Sequence, residues 1–284
     1  MSILFIPPGT PQTASARFRA YWVAEYMPDT KVIPCDQVTQ ADIDEADVLI
    51  WGKMLVQFDY HGQRMFWDIC DPVHWFNPQV ETRQWTDVCE KVITSSDGLT
   101  EDFNAWYGSE KAVTIPDRLK LEHYPKQRSH VHVDPIRLLW FGNNGNRWPL
   151  IAAMGDLIRL SYCGVRAELT ICDDNPKDVW RVAEFPIYMV RWSLDTENNI
   201  YSSHDLAILP PMGGRQGLCK SNNKTITAWA NGLPVFDGRE SFDWLMRLCT
   251  EAELRQQVAF ENYTNLERFW QVEKSAQEWM ELIG

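Results

Sequence analysis

With 284 residues, 45% of them hydrophobic and 23% charged, the chain is too long and too apolar for a disordered segment, and it suffices for one large domain or two of ordinary size. The formal net charge is −12 and it is uneven, with 10 Lys and Arg against 19 Asp and Glu in residues 1–125, and 17 against 20 in residues 126–284. A polyanion would approach the first half against its field, whereas a small phosphate ligand is easier to place in the second.

The opening "MSILFIPPG" carries no basic leader, and its apolar run stops at Pro7-Pro8, so it reads as a first strand and not as a secretion signal. The turn "PPGTPQT" follows. Ser15 to Met27 then shows helical spacing, with Phe18, Trp22, Val23 and Tyr26 on one face. "KVIP", "DVLIW", "MFWDI", "KVITS" and "AVTIP" are short apolar runs separated by polar or helical segments, the pattern of a parallel sheet buried on both faces. "SSDGLTEDFNAWYG" reads as a helix with acidic residues early and Gly108 just past its end.

Residues 126–135, polar and without periodicity, read as an interdomain linker between a domain at 1–125 and a second at 136–284. The strand and helix alternation restarts with "IRLLWFG", a helix from Pro149 to about Tyr162, "ELTIC", "IYMVRW", "DLAILP", a helix from about Ser221, and "LPVF". The tail "NLERFWQVEKSAQEWMELI" reads as one amphipathic helix that docks back on the body of the protein. The fold class is α/β, with two Rossmann-like βαβ domains facing a cleft as the default site. No apolar run approaches bilayer-spanning length, and seven cysteines without a C-x-x-C pair suit a reduced compartment, so the expectation is a soluble, cytoplasmic protein. Fourteen tryptophans serve cores first and line a groove second.

Two predicted strand ends in the second half are unusually polar. "LLWFG" runs into Gly142, Asn143, Asn144, Gly145 and Arg147, and "LAILPP" runs into Gly213, Gly214, Arg215, Gly217, Lys220, Ser221, Asn223 and Lys224. Ligands in open α/β sheets bind beyond the carboxyl ends of strands, and glycines let backbone N–H groups approach a phosphate. Ser221 could cap the next helix, and Lys220 and Lys224, four apart, would share a helical face. Lysines at a helix N-terminus oppose its dipole, so an anionic ligand is expected there. The plainer alternative is a solvated loop with exposed lysines. No G-x-x-x-x-G-K-[ST] is present, which removes the P-loop reading.

In the first half, "WDICDPVHWF" puts Asp71 and His74 after a buried strand, where either could act as a general base; Asp71-Pro72 is equally an ordinary helix start. Asp68 reads as a backbone-fixing residue. Gly9, Ser15, Arg17 and Arg19 follow the first strand as candidates for contact with a phosphate or a second substrate from across the cleft, against an alternative of a cap and surface arginines. His130 and His132 lack a third ligand in view, Asp173-Asp174 sits in the wrong context for a metal, and no metal is predicted.

"KSNNKTITAWANGLPV" resembles the C-domain segment of GT-B glycosyltransferases with a K-S-x-x-K…A-x-G-x-P-V pattern. "PPGTPQTASARFR", "FWDICDPVHW", "VITSSDGLTEDF…VTIPDRLKLEHY", "LLWFGNNGN" and "SSHDLAILPP" follow the family order over nearly the whole chain. The resemblance implies transfer of a sugar from a nucleoside-diphosphate sugar, as co-substrate and without a cofactor, to an acceptor hydroxyl of a glycan, a small molecule or a hydroxymethylated base of phage DNA. The acidic first half argues against DNA. It also implies that Gly142, Asn143 and Arg147 lie near the diphosphate, that Gly213, Gly214, Lys220, Ser221, Asn223, Lys224 and Thr227 hold the donor, and that the first domain holds the acceptor. The retaining family commonly has a pair of glutamates here, whose places fall at Cys219 and Thr227, so stereochemistry stays open. A non-catalytic nucleotide-sugar-binding or scaffold protein of the same fold is the alternative.

Overall fold

A computed structural model describes residues 1–54, 56–125, 128–176 and 180–284. The expected linker therefore begins with Lys126 and Gln127, which lie outside the described residues. The chain forms two compact units, one of Met1–Lys120, Gly214–Asn222 and Trp270–Gly284, the other of Leu121–Gly213 and Asn223–Phe269. The sequence division at 125 and 136 thus differs from the observed one in three places. The described part of the linker is packed into the second unit, because Arg128 donates to the carbonyls of Ser202 and His204 and to Asp205. Two later stretches return to the first unit, for reasons given below.

The first unit is built on a parallel sheet of β1 (Ile3–Ile6), β2 (Thr30–Val32), β3 (Val48–Gly52), β4 (Arg64–Ile69), β5 (Lys91–Thr94) and β6 (Ala112–Thr114), in the order β2-β1-β3-β4-β5-β6. The interior strands are continuous apolar runs because both sheet faces are covered, while the edge strand β2 alternates and exposes Lys31. Strand order reverses between β1 and β3, whose carboxyl ends carry Pro7-Pro8-Gly9 and Gly52-Lys53. Gly52 is closely enclosed there, since a Cβ would stand 3.0 Å from the Pro8 ring and 3.1 Å from Pro7 Cα. The first helix runs through Ala14–Ala16, Arg17–Tyr21 and Trp22–Ala24, its middle segment in the wider π form.

The tail is two helices, Ala252–Phe269 and Val272–Ile283, and not one. The break arises where Leu119 pairs with the chain: its N–H donates to Trp270 O, and its carbonyl accepts from Val272 N–H, at 2.9 Å each. Val272, Ala276, Trp279 and Ile283 recur at helical spacing and are buried against the first unit, with Trp279 edge-on to Phe5 and Phe66. Arg118 fastens the same helix by donating to Ser275 Oγ at 3.0 Å and to both oxygens of Glu278 at 2.6 Å.

The second unit holds β7 (Ile136–Gly142), β8 (Ala167–Asp173), β9 (Ile187–Arg191), β10 (Leu206–Ile208) and β11 (Val235–Phe236), all parallel, in the order β11-β10-β7-β8-β9. Its core is formed by Leu138, Trp140, Leu169, Ile171, Ile208 and Phe236 from the sheet, with Leu150, Leu157 and Leu160 from the helix Leu150–Tyr162. The order reverses between β7 and β10, which makes Gly142 and the chain just beyond Ile208 the switch point at which open α/β sheets bind ligands. The helix Asn223–Ala230 lies between β10 and β11 in the chain. No described helix is long and apolar enough to cross a membrane.

Candidate functional site

In the second unit the reversal point joins Gly142 to Lys224. Gly142 has φ 148°, and a Cβ on it would stand 2.5 Å from Lys224 Nζ and 2.6 Å from its Cε. Lys224 Nζ also lies 4.5 Å from the Trp140 ring centroid, a cation–π contact. A missing side chain, an ammonium and the first turn of the helix Asn223–Ala230, with its outward backbone N–H groups, thus converge on one sheet end.

The neighbouring predicted residues do different work. Asn143 is spent on the loop: its Nδ2 donates to Asp174 at 3.0 Å, and its Oδ1 accepts from Gly145 N–H at 3.0 Å. Asp174 also takes the Asn144 N–H at 2.7 Å, so the acidic pair ties the turn after β7. Arg147 is 5% exposed and its Nε lies 2.9 Å from Asp173, which is fully buried. Its charge is committed inward.

Lys220 and Lys224 do not share a helical face, because the helix begins at Asn223 and Lys220 lies in the preceding segment. Ser221 is one residue too early to cap it; Asn222 directly precedes the helix. The segment Gly214–Asn222 belongs to the first unit. Gly213 and Gly214 are exposed at its start, Gly214 at φ 65°. Arg215 Nε pairs with Asp102 while its guanidinium lies 4.9 Å from the Trp75 ring centroid. Ser96 Oγ donates to Cys219 O at 3.2 Å, and a Cβ on Gly98 would stand 2.2 Å from Leu218 O, an approach only glycine permits. The positions of the glutamate pair are filled by groups that cannot ionise usefully. Cys219 is buried, its thiol pushed up to about 11 by burial, and Thr227 is 5% exposed with its carbonyl accepting from Asn231.

In the first unit, Lys220 Nζ donates to Asp71 Oδ1 and Lys53 Nζ to Asp71 Oδ2, both at 2.7 Å. Burial pushes the Asp71 carboxyl up, but the two ammonium groups outweigh it and hold the carboxyl below its ordinary value. The helix Val73–Phe76 starts too late for Asp71 to cap it. Lys53 stands at φ 59°, a conformation disfavoured without glycine, held by Lys53 N–H to Asp68 O at 2.8 Å and Trp67 Nε1 to Lys53 O at 3.1 Å. His74 is 1% exposed, with its Nε2 2.6 Å from Asp102 and its ring packed against Trp75, Phe103 and Trp106. Burial lowers its pKa against the pull of Asp102, so the ring is neutral and enclosed.

Arg19 is an internal group. Its guanidinium donates to Asp68 at 2.6–2.9 Å, to Asp117 at 2.8 Å and to Ile115 O at 2.9 Å. Arg17 is 3% exposed, donates from Nη1 to Pro11 O at 2.8 Å and lies over the Phe18 and Trp22 rings. Ser15 lines a cavity of about 10 Å³ with Gly52, Lys53, Asp68 and Cys70, room for about one water. Gly9 borders Thr13, whose Oγ1 would meet its Cβ at 3.0 Å.

No protein-family model matches the sequence, and no curated protein matches it. Solved structures do. WaaG, a glycosyltransferase involved in lipopolysaccharide biosynthesis, superposes with a TM-score of 0.65 at 12% identity over 100% of this chain and 99% of that one. An α-glucosyltransferase in complex with UDP and a 13-mer DNA containing an HMU base gives 0.63 at 10% identity, over 99% and 98%. TarM gives 0.59 at 11% identity over 83% of this chain and 54% of TarM, so the chain spans about half the length of that protein. The chain has a GT-B glycosyltransferase-like fold.

Within the GT-B framework the structure joins Gly142 and Lys224 in one unit, and Asp71 and Lys220 in the other. Sequence reasoning missed Lys53, Asp102 and Trp140. Lys53 had a signal, a charged residue directly after a fully apolar strand that ends in glycine. Asp102 sits mid-helix with nothing local to separate it from a solvated carboxylate, and its role depends on Arg215, 113 residues away.

Proposed function

We propose that the chain is a glycosyltransferase that moves a sugar from a nucleoside-diphosphate sugar to an acceptor hydroxyl. The observation that carries this reading is the Gly142–Lys224 junction at the β7/β10 reversal point. There the missing side chain lets the Lys224 ammonium lie close against the strand end, and this cation with a helix N-terminus would offset the charge that develops on a diphosphate as the bond to the sugar breaks. The anomeric carbon exchanges its diphosphate oxygen for the acceptor oxygen, and the acceptor proton leaves to the departing diphosphate or to solvent. Asn143 and Arg147 support this site by shaping the loop, and Asn223 and Thr227 by building its helix.

We assign the acceptor to the first unit, where Gly9 and Ser15 are partly exposed; Arg17, buried and bonded to Pro11 O, holds the loop between them. Asp71, clamped by two lysines, is a weak base, and we assign it and His74 to positioning: Asp71 orients Lys53 and Lys220, and His74 orients Asp102 beneath Arg215. We take the acceptor to be a glycan and not DNA, in keeping with 19 Asp and Glu in residues 1–125. The cytoplasm is the proposed compartment.

Thermal unfolding with UDP, GDP, dTDP, CMP and ADP, on the wild type and Lys224→Ala, tests the reading. UDP comes first, since the α-glucosyltransferase structure holds it. A diphosphate at a hundred times its Kd stabilises by about 2.7 kcal/mol, a rise of roughly 5–10 °C for a chain of this size. No rise with any nucleotide, or an equal rise in Lys224→Ala, sinks it. The clamped Asp71 and enclosed His74 also favour a second reading, a nucleotide-sugar binder without catalysis; it predicts the same rise with no hydrolysis of donor.

A further inference from the structure

His130, left over from the linker and unused by the site above, sits at the back of a groove in the second unit. The groove has a volume of about 450 Å³ and is lined by His130, Glu253, Gln256, Gln257 and Phe260. That volume falls within the roughly 300–1,000 Å³ typical of small-ligand sites. The last four residues recur at i, i+3, i+4 and i+7 of the helix Ala252–Phe269, so they form one face. Phe260 is 61% exposed, a large ring held in solvent.

The hydrogen-bonding capacity of this face is specific. Gln256 Oε1 accepts from His130 N–H at 2.8 Å, which leaves the Gln256 NH2 as a donor. Gln257 Nε2 donates to Glu261 at 2.9 Å, which leaves the Gln257 Oε1 as an acceptor. Glu253 adds a carboxylate acceptor. Behind them His130 is 8% exposed, its Nε2 lies 2.8 Å from Gly232 O, and its buried Nδ1 has no partner in the described structure. Among the described residues, no lysine or arginine lines the groove.

A phosphate or other anion would meet Glu253 with no cation among the described lining residues to offset it, so nucleotides and nucleic acid fit poorly. A sugar ring fits well: its hydroxyls both donate and accept, and its C–H face packs on an aromatic ring. We propose that this groove is a second, non-catalytic subsite for a neutral glycan, with Phe260 as the platform and Gln256, Gln257 and Glu253 as the hydroxyl-binding groups. The groove stands on its own geometry; taking its ligand to be the acceptor glycan rests on the glycosyltransferase reading.

Affinity electrophoresis of the full chain in native gels containing dextran, soluble starch or hydroxyethylcellulose tests the subsite, with heparin as the anionic comparison. The wild type is expected to be retarded by at least one neutral polysaccharide. Phe260→Ala and Gln257→Ala, both at exposed positions, are expected to restore most of the mobility. Retardation by heparin alone, by none of the four, or equally in wild type and Phe260→Ala overturns the proposal. UDP-induced stabilisation measured on the same proteins separates the two readings. If Phe260→Ala abolishes retardation while UDP stabilises neither protein, the glycan subsite stands and the transferase reading fails; UDP stabilisation without retardation gives the reverse.

Discussion

Gly142→Ala isolates the geometry of the proposed donor site in one methyl group. At φ 148° an alanine is strained, at a cost of about 1–3 kcal/mol. The added Cβ would also stand 2.5 Å from Lys224 Nζ. Because that atom is the tip of a flexible chain, Lys224 yields by swinging off the Trp140 ring, losing a contact worth about 0.5–1 kcal/mol or more. At roughly 2–4 °C per kcal/mol, the second unit should melt about 3–15 °C lower. The functional loss should exceed what stability alone explains. Removing one charge-assisted hydrogen bond to a diphosphate costs about 1.5–3 kcal/mol, or roughly 10- to 100-fold in Kd. Calorimetric titration with UDP at 15 °C, where the variant stays folded, reads that term directly. A Gly142→Ala protein that binds UDP within twofold of wild type would refute the argument that this backbone position sets Lys224 for the ligand.

Two further outcomes concern buried charge. Arg19→Leu leaves Asp68 and Asp117 facing each other without their shared cation, so urea unfolding should show a loss of about 3–5 kcal/mol; a loss below about 1 kcal/mol would mean the arginine is not the internal tie described. His130 should make the fold acid-sensitive. Burial lowers its pKa to about 4 in the folded state, Arg128 and Arg255 add to the effect, and Gly232 O and Asp205 oppose it. The unfolded chain takes up the proton near the ordinary value of about 6.5, so this stabilisation is complete above that pH and is lost as pH falls toward about 4. His74 and His204 shift the same way, so the check is the difference between wild type and His130→Gln across that window, which should show a shallower acid loss in the variant.

The sheets were readable because a strand covered on both faces leaves an unbroken apolar run, as in "VLIW" and "LLWF". Gly108 at φ 92° closes its helix where the pattern puts it. The site was readable only in part. Gly142 and Lys224 are flagged by type, yet so were Arg147, Arg19 and His74, and nothing local distinguishes a cation held at a sheet end from one turned toward a buried carboxylate. That depends on partners far away in the chain: Asp68 lies 49 residues from Arg19, and Asp117 lies 98. The domain division failed for the same reason. Alternation of strand and helix carries no mark of which sheet a later helix covers, and only the Trp279 contacts with Phe5 and Phe66 show that Val272–Ile283 completes the first unit.

That arrangement sets an order of events during synthesis. All of the second unit has been translated by Phe269, whereas the first unit still lacks the helix that fills its apolar face and the Leu119 bridge to Gln271. The unit whose sheet is translated earlier is therefore the later of the two to acquire its final core. Until Trp279 emerges, Phe5 and Phe66 sit beneath an unfilled face, a nascent surface for which a chaperone is the natural temporary cover.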